Sequence, residues 1–392
     1  MKWTVGLFLI LLTRDWVNGL SLAKPCSNNV CKLPNCKCSD SGSGNTIPIS
    51  KIPQMVLLTF DDATTVITYD FFSKSLFNKK NPDGCPIGVT HFLSHEYTDY
   101  SKVNDLWMRG HEIALHSITH DATIEGYWRD INLTTFKAEF DGLRQMIINF
   151  AGIPKNEIRG LRLPFLQTSG NVSFQGIEEL GLYYDTSLPV SHYINPPLWP
   201  YTLEYASHAT CQIEPCPTAS FPNIWEVPMT MWLDEKNISC SMVDACASIS
   251  KEAKPISEWL IKQFEWHYNN SRAPFPVFMH AAWFLRNPEN FKGYQLFINH
   301  IQQLSDVYIV TLNNAINWIK NPKSLDNKMP FGECEIRKSP IKCTPHSCNL
   351  KTKSGEERWM TSCSPVCPTN YPWVYNPLGL NVRLHYSITA GV

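Results

Sequence analysis

Two adjacent carboxylates, Asp61 and Asp62, end the apolar run Val56-Leu57-Leu58-Thr59-Phe60. A run of that length reads as a buried strand, which delivers its last residues to a fixed point in space. In α/β folds, the carboxyl ends of parallel strands are where ligands bind. Neighbouring acids repel each other unless their roles are separated. A bound cation that engages one and leaves the other free is the simplest arrangement. A second constellation, His116-Ser117-Ile118-Thr119-His120, sets two imidazoles four residues apart, a spacing that would place both on one helical face. Such pairs arise easily by chance, but a catalytic metal commonly takes two imidazoles and one carboxylate and leaves positions open for water. Asp62 would complete that set, with Asp61 free beside it.

Elements able to hold such a centre are legible around it. From residue 51 to 322, short β-branched runs at 55–59, 88–92, 112–115, 182–184, 225–228, 277–280 and 307–311 alternate with helical patterns. The clearest helix covers 134–151, where Phe136, Phe140, Leu143, Met146 and Ile147 share one face. Segments 256–268 and 294–304 read the same way. The fold class expected is α/β, a distorted (β/α) barrel. The stretch 191–219, rich in Pro, Tyr and Trp, breaks the alternation and reads as a loop insertion over one end of the barrel, with Cys211, Cys216, Cys240 and Cys246 tying the region down.

The chain has 392 residues, 43% of them hydrophobic, and a net charge of -1. It can therefore bury a large core, and nothing in its charge steers it toward nucleic acid or an anionic membrane. Residues 1–19, with a charged start, the apolar run 5–12 and the small residue Gly19, read as a secretory signal peptide. No later stretch is long and apolar enough to span a bilayer. The 14 cysteines fit disulfides in an oxidising compartment. Sequons start at Asn132, Asn171, Asn237 and Asn269. These features predict a secreted, extracellular glycoprotein, monomeric and without a membrane anchor. Cysteine-rich extensions flank the central unit, an N-terminal strap at 20–50 and a C-terminal extension at 323–392. In the latter, Trp359, Tyr371, Trp373 and Tyr375 could face carbohydrate or pack inside.

Five segments occur in a telling order: Thr59-Phe60-Asp61-Asp62, His116-Ser117-Ile118-Thr119-His120, Arg162-Leu163-Pro164-Phe165, Asp185-Thr186-Ser187 and Phe278-Met279-His280. In this the chain resembles the polysaccharide deacetylases, the NodB-homology carbohydrate esterases. Its cysteine-rich flanks and the stretch 279–284 look most like the gut-type chitin deacetylases of insects, which lack a separate chitin-binding module. The resemblance implies a hydrolase that removes acetyl groups from chitin or another N-acetylglucosamine polymer or oligomer. It implies one divalent metal, zinc preferred, on Asp62, His116 and His120. Asp61 would be the general base, oriented by Arg162. His280 would be the general acid, with Asp185 as its orienting partner. The backbone amide of Phe165 would bind the oxyanion; the family more often has tyrosine there, and a backbone donor survives the change. Met279 stands where leucine is common. Trp199, Trp232 and Trp283 are expected to stack on sugar rings. Two alternatives stay open: a chitin-binding matrix protein of low turnover on the same fold, and a deacetylase of another N-acetylated glycan.

Overall fold

In the computed structural model of the chain, residues 16–17 and 19–381 are described. The leader expected over 1–19 lies almost wholly outside them. The central unit runs β1 (Gln54–Asp61), α1 (Val66–Ser75), β2 (Thr90–Leu93), α2 (Tyr100–Met108), β3 (Glu112–Leu115), α3 (Leu133–Met146), β4 (Gly160–Leu161), α4 (Asn171–Glu179), β5 (Tyr184–Asp185), β6 (Tyr201–Thr202), β7 (Trp225–Glu226), α5 (Ala253–Tyr268), β8 (Phe275–His280), α6 (Pro288–Ile301), β9 (Val307–Ile309) and α7 (Leu312–Lys320). The nine strands hydrogen-bond in the order β8-β1-β2-β3-β4-β5-β7-β6, with β9 also on β1. Every pairing is parallel except β7 with β6. Among the described residues the two ends do not pair, so the barrel is open.

Strand alternation decides which side chains reach its interior. Met55 and Leu57 of β1 pack with Phe92, Ala114, Tyr184, Trp225 and Phe278. Val56, Leu58 and Phe60 pack on the other face with Phe72, Phe136 and Phe297 of the helices. Arg162, just past β4, lies with its guanidinium 4.2 Å from the Phe92 ring and 4.3 Å from the Phe278 ring. A side chain from β4 touching β2 and β8 requires a curled sheet whose concave face is the Met55 face. By the same parity Asp61 and His280 point inward. Gly160 of β4 is required by close approach: a Cβ there would lie 2.0 Å from the Tyr184 ring.

α3 forms as its periodicity predicts. Asn132 caps it by accepting from the Thr135 amide, and Phe136, Phe140, Leu143 and Met146 are buried. The helix then widens over 147–151 and ends at Gly152, in the left-handed region at φ 66°. The 191–219 stretch is more than a loop. It contributes the antiparallel edge strand β6, and the N-terminal strap clasps it through Trp199 N to Asp40 O, Thr202 N to Lys37 O and Ala206 N to Lys24 O.

All 14 cysteines pair, in seven disulfides. Cys26–Cys38 and Cys31–Cys36 staple the strap, and Cys211–Cys216 and Cys240–Cys246 close short loops. In the C-terminal extension, Cys343–Cys363 and Cys348–Cys367 brace the hairpin β10 (His346–Lys351) and β11 (Glu357–Ser362). The extension's odd cysteine, Cys334, joins Cys85 of the central unit. Trp359 and Tyr375 are exposed, whereas Tyr371 is buried.

Candidate active site

Parallel strands place their carboxyl ends together, and here those ends carry the expected site residues: Asp61 as the last residue of β1 and Asp62 just past it, His116 after β3, Arg162 after β4 and His280 at the end of β8. The backbone turns at Asp62, at φ 80°, so that consecutive carboxylates diverge. Asp61 is buried and Asp62 half-exposed. Oδ1 of Asp61 accepts from Arg162 Nη1 at 2.6 Å, while its Oδ2 lies 3.8 Å from His116 Nε2. The guanidinium is fully buried and also donates to Thr59 Oγ1 (2.9 Å) and the Thr186 carbonyl (3.1 Å).

His116, His120 and Asp62 converge, with ligand-capable atoms within 4.8 Å of one another. Asp62 Oδ1 is 3.7 Å from His120 Nε2 and 4.0 Å from His116 Nε2. His116 Nδ1 donates to the Arg162 carbonyl at 2.8 Å, which leaves Nε2 as a lone pair facing the others. Burial, reinforced by the neighbouring His120, pushes the pKa of His116 down to about 3, so the ring stays neutral, as a ligand must be. Two imidazoles and a carboxylate around one point are a donor set that fits zinc and similar divalent ions.

The spacing of four does not reflect a helix. Residues 116–120 form a loop, with Ser117 and His120 at φ 74° and 43°. Tertiary hydrogen bonds override the helical reading, so the two imidazoles meet across a turn, their rings 4.9 Å apart.

His280 points Nε2 toward Asp62 Oδ2, 4.0 Å away, and its Nδ1 meets Asp244 Oδ2 at 3.0 Å. Burial alone would depress its pKa. The hydrogen bond and charge of Asp244, with the charges of Asp61 and Asp62, outweigh that and raise it to about 9. The expected partner, Asp185, is not the one used. Alternation on β5 puts Asp185 on the face opposite Tyr184, and four strands separate β5 from β8 in the sheet. Asp185 instead accepts from the amide and hydroxyl of Ser187, whose Oγ in turn accepts from Leu163 N. It therefore braces the turn carrying Arg162 and Phe165.

Phe165 sits at φ 55° with its half-exposed ring against His120, centroids 4.8 Å apart. The three tryptophans expected to stack on sugar are buried instead. Trp199 packs on Trp318, Trp232 sits between Trp259 and Phe275 with its indole N–H on the Pro276 carbonyl, and Trp283 packs on Phe284. The large apolar area of an indole favours core over solvent, and these positions lie under helices or inside the curl.

Sequence reading missed two residues. Asp244 lies in a turn closed by Cys240–Cys246, a stapled loop carrying an acid. Glu139 interrupts the apolar stripe of α3 between Phe136 and Phe140, and a charge on a core stripe is itself a signal.

No family model matches the chain. Among curated proteins, it is 39% identical over 375 residues to chitin deacetylase 8 of Bombyx mori, covering 95% of this chain and 97% of that protein. It is 36% identical over 387 residues to chitin deacetylase 1 of Bombyx mori, covering 93% of this chain and 70% of that protein. Among solved structures, the chitin deacetylase of the fungal pathogen Colletotrichum lindemuthianum aligns with 67% of this chain and 88% of its own, at 13% identity and a TM-score of 0.37.

Proposed function

Because this chain belongs to the chitin deacetylases, within the polysaccharide deacetylase family, we propose that it is a secreted, metal-dependent enzyme that hydrolyses the acetamido groups of chitin or its oligomers. The products are glucosamine units and acetate. The observation that carries the reading is the convergence of Asp62, His116 and His120 beside an unshared Asp61 oxygen and a raised-pKa His280.

Asp62, His116 and His120 would hold the ion, zinc being favoured by its donor set. When bound, such an ion polarises an acyl carbonyl and makes a water more acidic. The chain's own residues do the rest. Asp61, with Oδ1 pinned by Arg162, offers Oδ2 to the attacking water and takes its proton. The Phe165 backbone amide faces the carbonyl oxygen as negative charge develops there. As the carbon–nitrogen bond breaks, His280 gives its Nε2 proton to the departing amine, while Asp244 holds Nδ1 and fixes the ring. Seven disulfides support an extracellular setting, since such bonds persist where thiols are not kept reduced.

Acetate release from chito-oligosaccharides tests this. The wild type should release acetate and lose that activity on chelation. Asp61→Asn should retain the metal yet lose at least about a hundredfold in turnover, the usual worth of a general base. Turnover retained in Asp61→Asn would overturn the base assignment. Chitin binding without acetate release in the wild type would favour a matrix role.

A further inference from the structure

We infer that Glu139 is a positioning residue for the metal-binding loop: its carboxylate fixes the backbone between His116 and His120 and thereby sets the affinity of the site for a divalent ion. This rests on the reading of Asp62, His116 and His120 as ligands. The loop conformation is not one its residues would choose. Ser117 and His120 hold φ at 74° and 43°, a region that non-glycine residues avoid because Cβ crowds the neighbouring carbonyl. Ile118 and Thr119 between them are β-branched and stiff. Something outside the loop must hold it.

Glu139 does so from α3. Its Oε2 accepts from the backbone amides of Ile118 (2.9 Å) and Thr119 (3.0 Å). Its Oε1 accepts from Thr119 Oγ1 (2.6 Å) and from the hydroxyl of Tyr127. The side chain is fully buried beside Phe136 and Phe140, where an unsatisfied carboxylate would be strongly unfavourable. Four donors make it tolerable, and hydrogen bonds to a charged group are among the strong ones. An apolar residue at 139 would leave two buried peptide N–H groups without that acceptor. Besides these, His120 N donates to Ser117 Oγ and Asp121 N to Thr119 Oγ1, each at 3.1 Å. The left-handed residues are His120 itself and the neighbour of His116. The bonds that hold their dihedrals therefore also decide where both imidazoles point.

Glu139→Gln is the direct test, read as zinc affinity of the full chain by chelator competition, beside thermal unfolding with and without zinc. Gln keeps the size but must turn its NH2 toward donors on one side. We expect zinc binding about 10- to 100-fold weaker, the usual effect of losing an outer partner of a ligand, and a smaller stabilisation by zinc. Equal loss of unfolding temperature in both states with unchanged zinc affinity would make Glu139 merely structural and overturn the inference. Should Glu139→Gln fail to fold, Tyr127→Phe removes one of the four donors from a partly exposed ring. A several-fold loss of zinc affinity supports the inference and an unchanged affinity overturns it. Wild-type chain that binds zinc no better than His116→Ala/His120→Ala would overturn the ligand reading itself, an outcome distinct from the failure of Glu139 alone.

Discussion

Each side chain of the proposed site is defined by what holds its other end. Asp61 is pinned by Arg162, His116 by a carbonyl, and His280 by Asp244. For His280, the direction of the shift has a kinetic consequence. Its pKa is raised from 6.5 to about 9, so the ring keeps its proton below that value and loses it as pH rises through it. An acid that must be protonated then gives an alkaline limb in kcat/KM. In Asp244→Asn the largest upward push is lost, and only the charges of Asp61 and Asp62 still oppose burial, which disfavours the charged ring. The alkaline limb should move to lower pH, and a pH profile of kcat/KM that does not move would remove Asp244 from this role. The motif order made the grouping of Asp61, Asp62 and the two histidines legible, because each residue type sits at the end of a readable strand or just past it. Asp244 was not legible, because a partner is chosen by proximity, and no spacing ties 244 to 280.

At the scale of elements, pairs of strands decide which side chains face the inside of the curl. Inward parity of β1 and β8 selects Asp61 and His280, and outward parity of β5 removes Asp185. β4 is placed by the absence of a side chain at Gly160, where the Tyr184 ring fills the space. Gly160→Ala should therefore destabilise the fold by about 1–3 kcal/mol through overpacking, read by urea unfolding. It should also lower turnover by shifting Arg162 two residues on. Unchanged stability would show that the ring yields freely. The parallel strands and α3 followed from period and composition. The loop 116–120 did not, since its shape is imposed by a glutamate on another element.

Across the whole molecule, the extensions are parts of the folded body. Arg337 donates to the carbonyls of Trp107 and His111, Ile341 lies over Gly152, and Cys363 N bonds Phe150 O. Cys85–Cys334 fastens this layer covalently. Cys85→Ser/Cys334→Ser should lower stability by about 2–4 kcal/mol, seen as an earlier thermal midpoint, while acetate release at low temperature persists. An unchanged midpoint would mean the packing alone suffices. Sequence by itself determined the chemistry available and the strand ends that carry it, because residue type and local period are written in the chain. Tertiary structure alone decided that the tryptophans belong to the core, that Asp244 serves His280, and that Cys334 finds Cys85. Those choices depend on which distant segments the curl of the sheet brings into contact, and no local pattern encodes a distance.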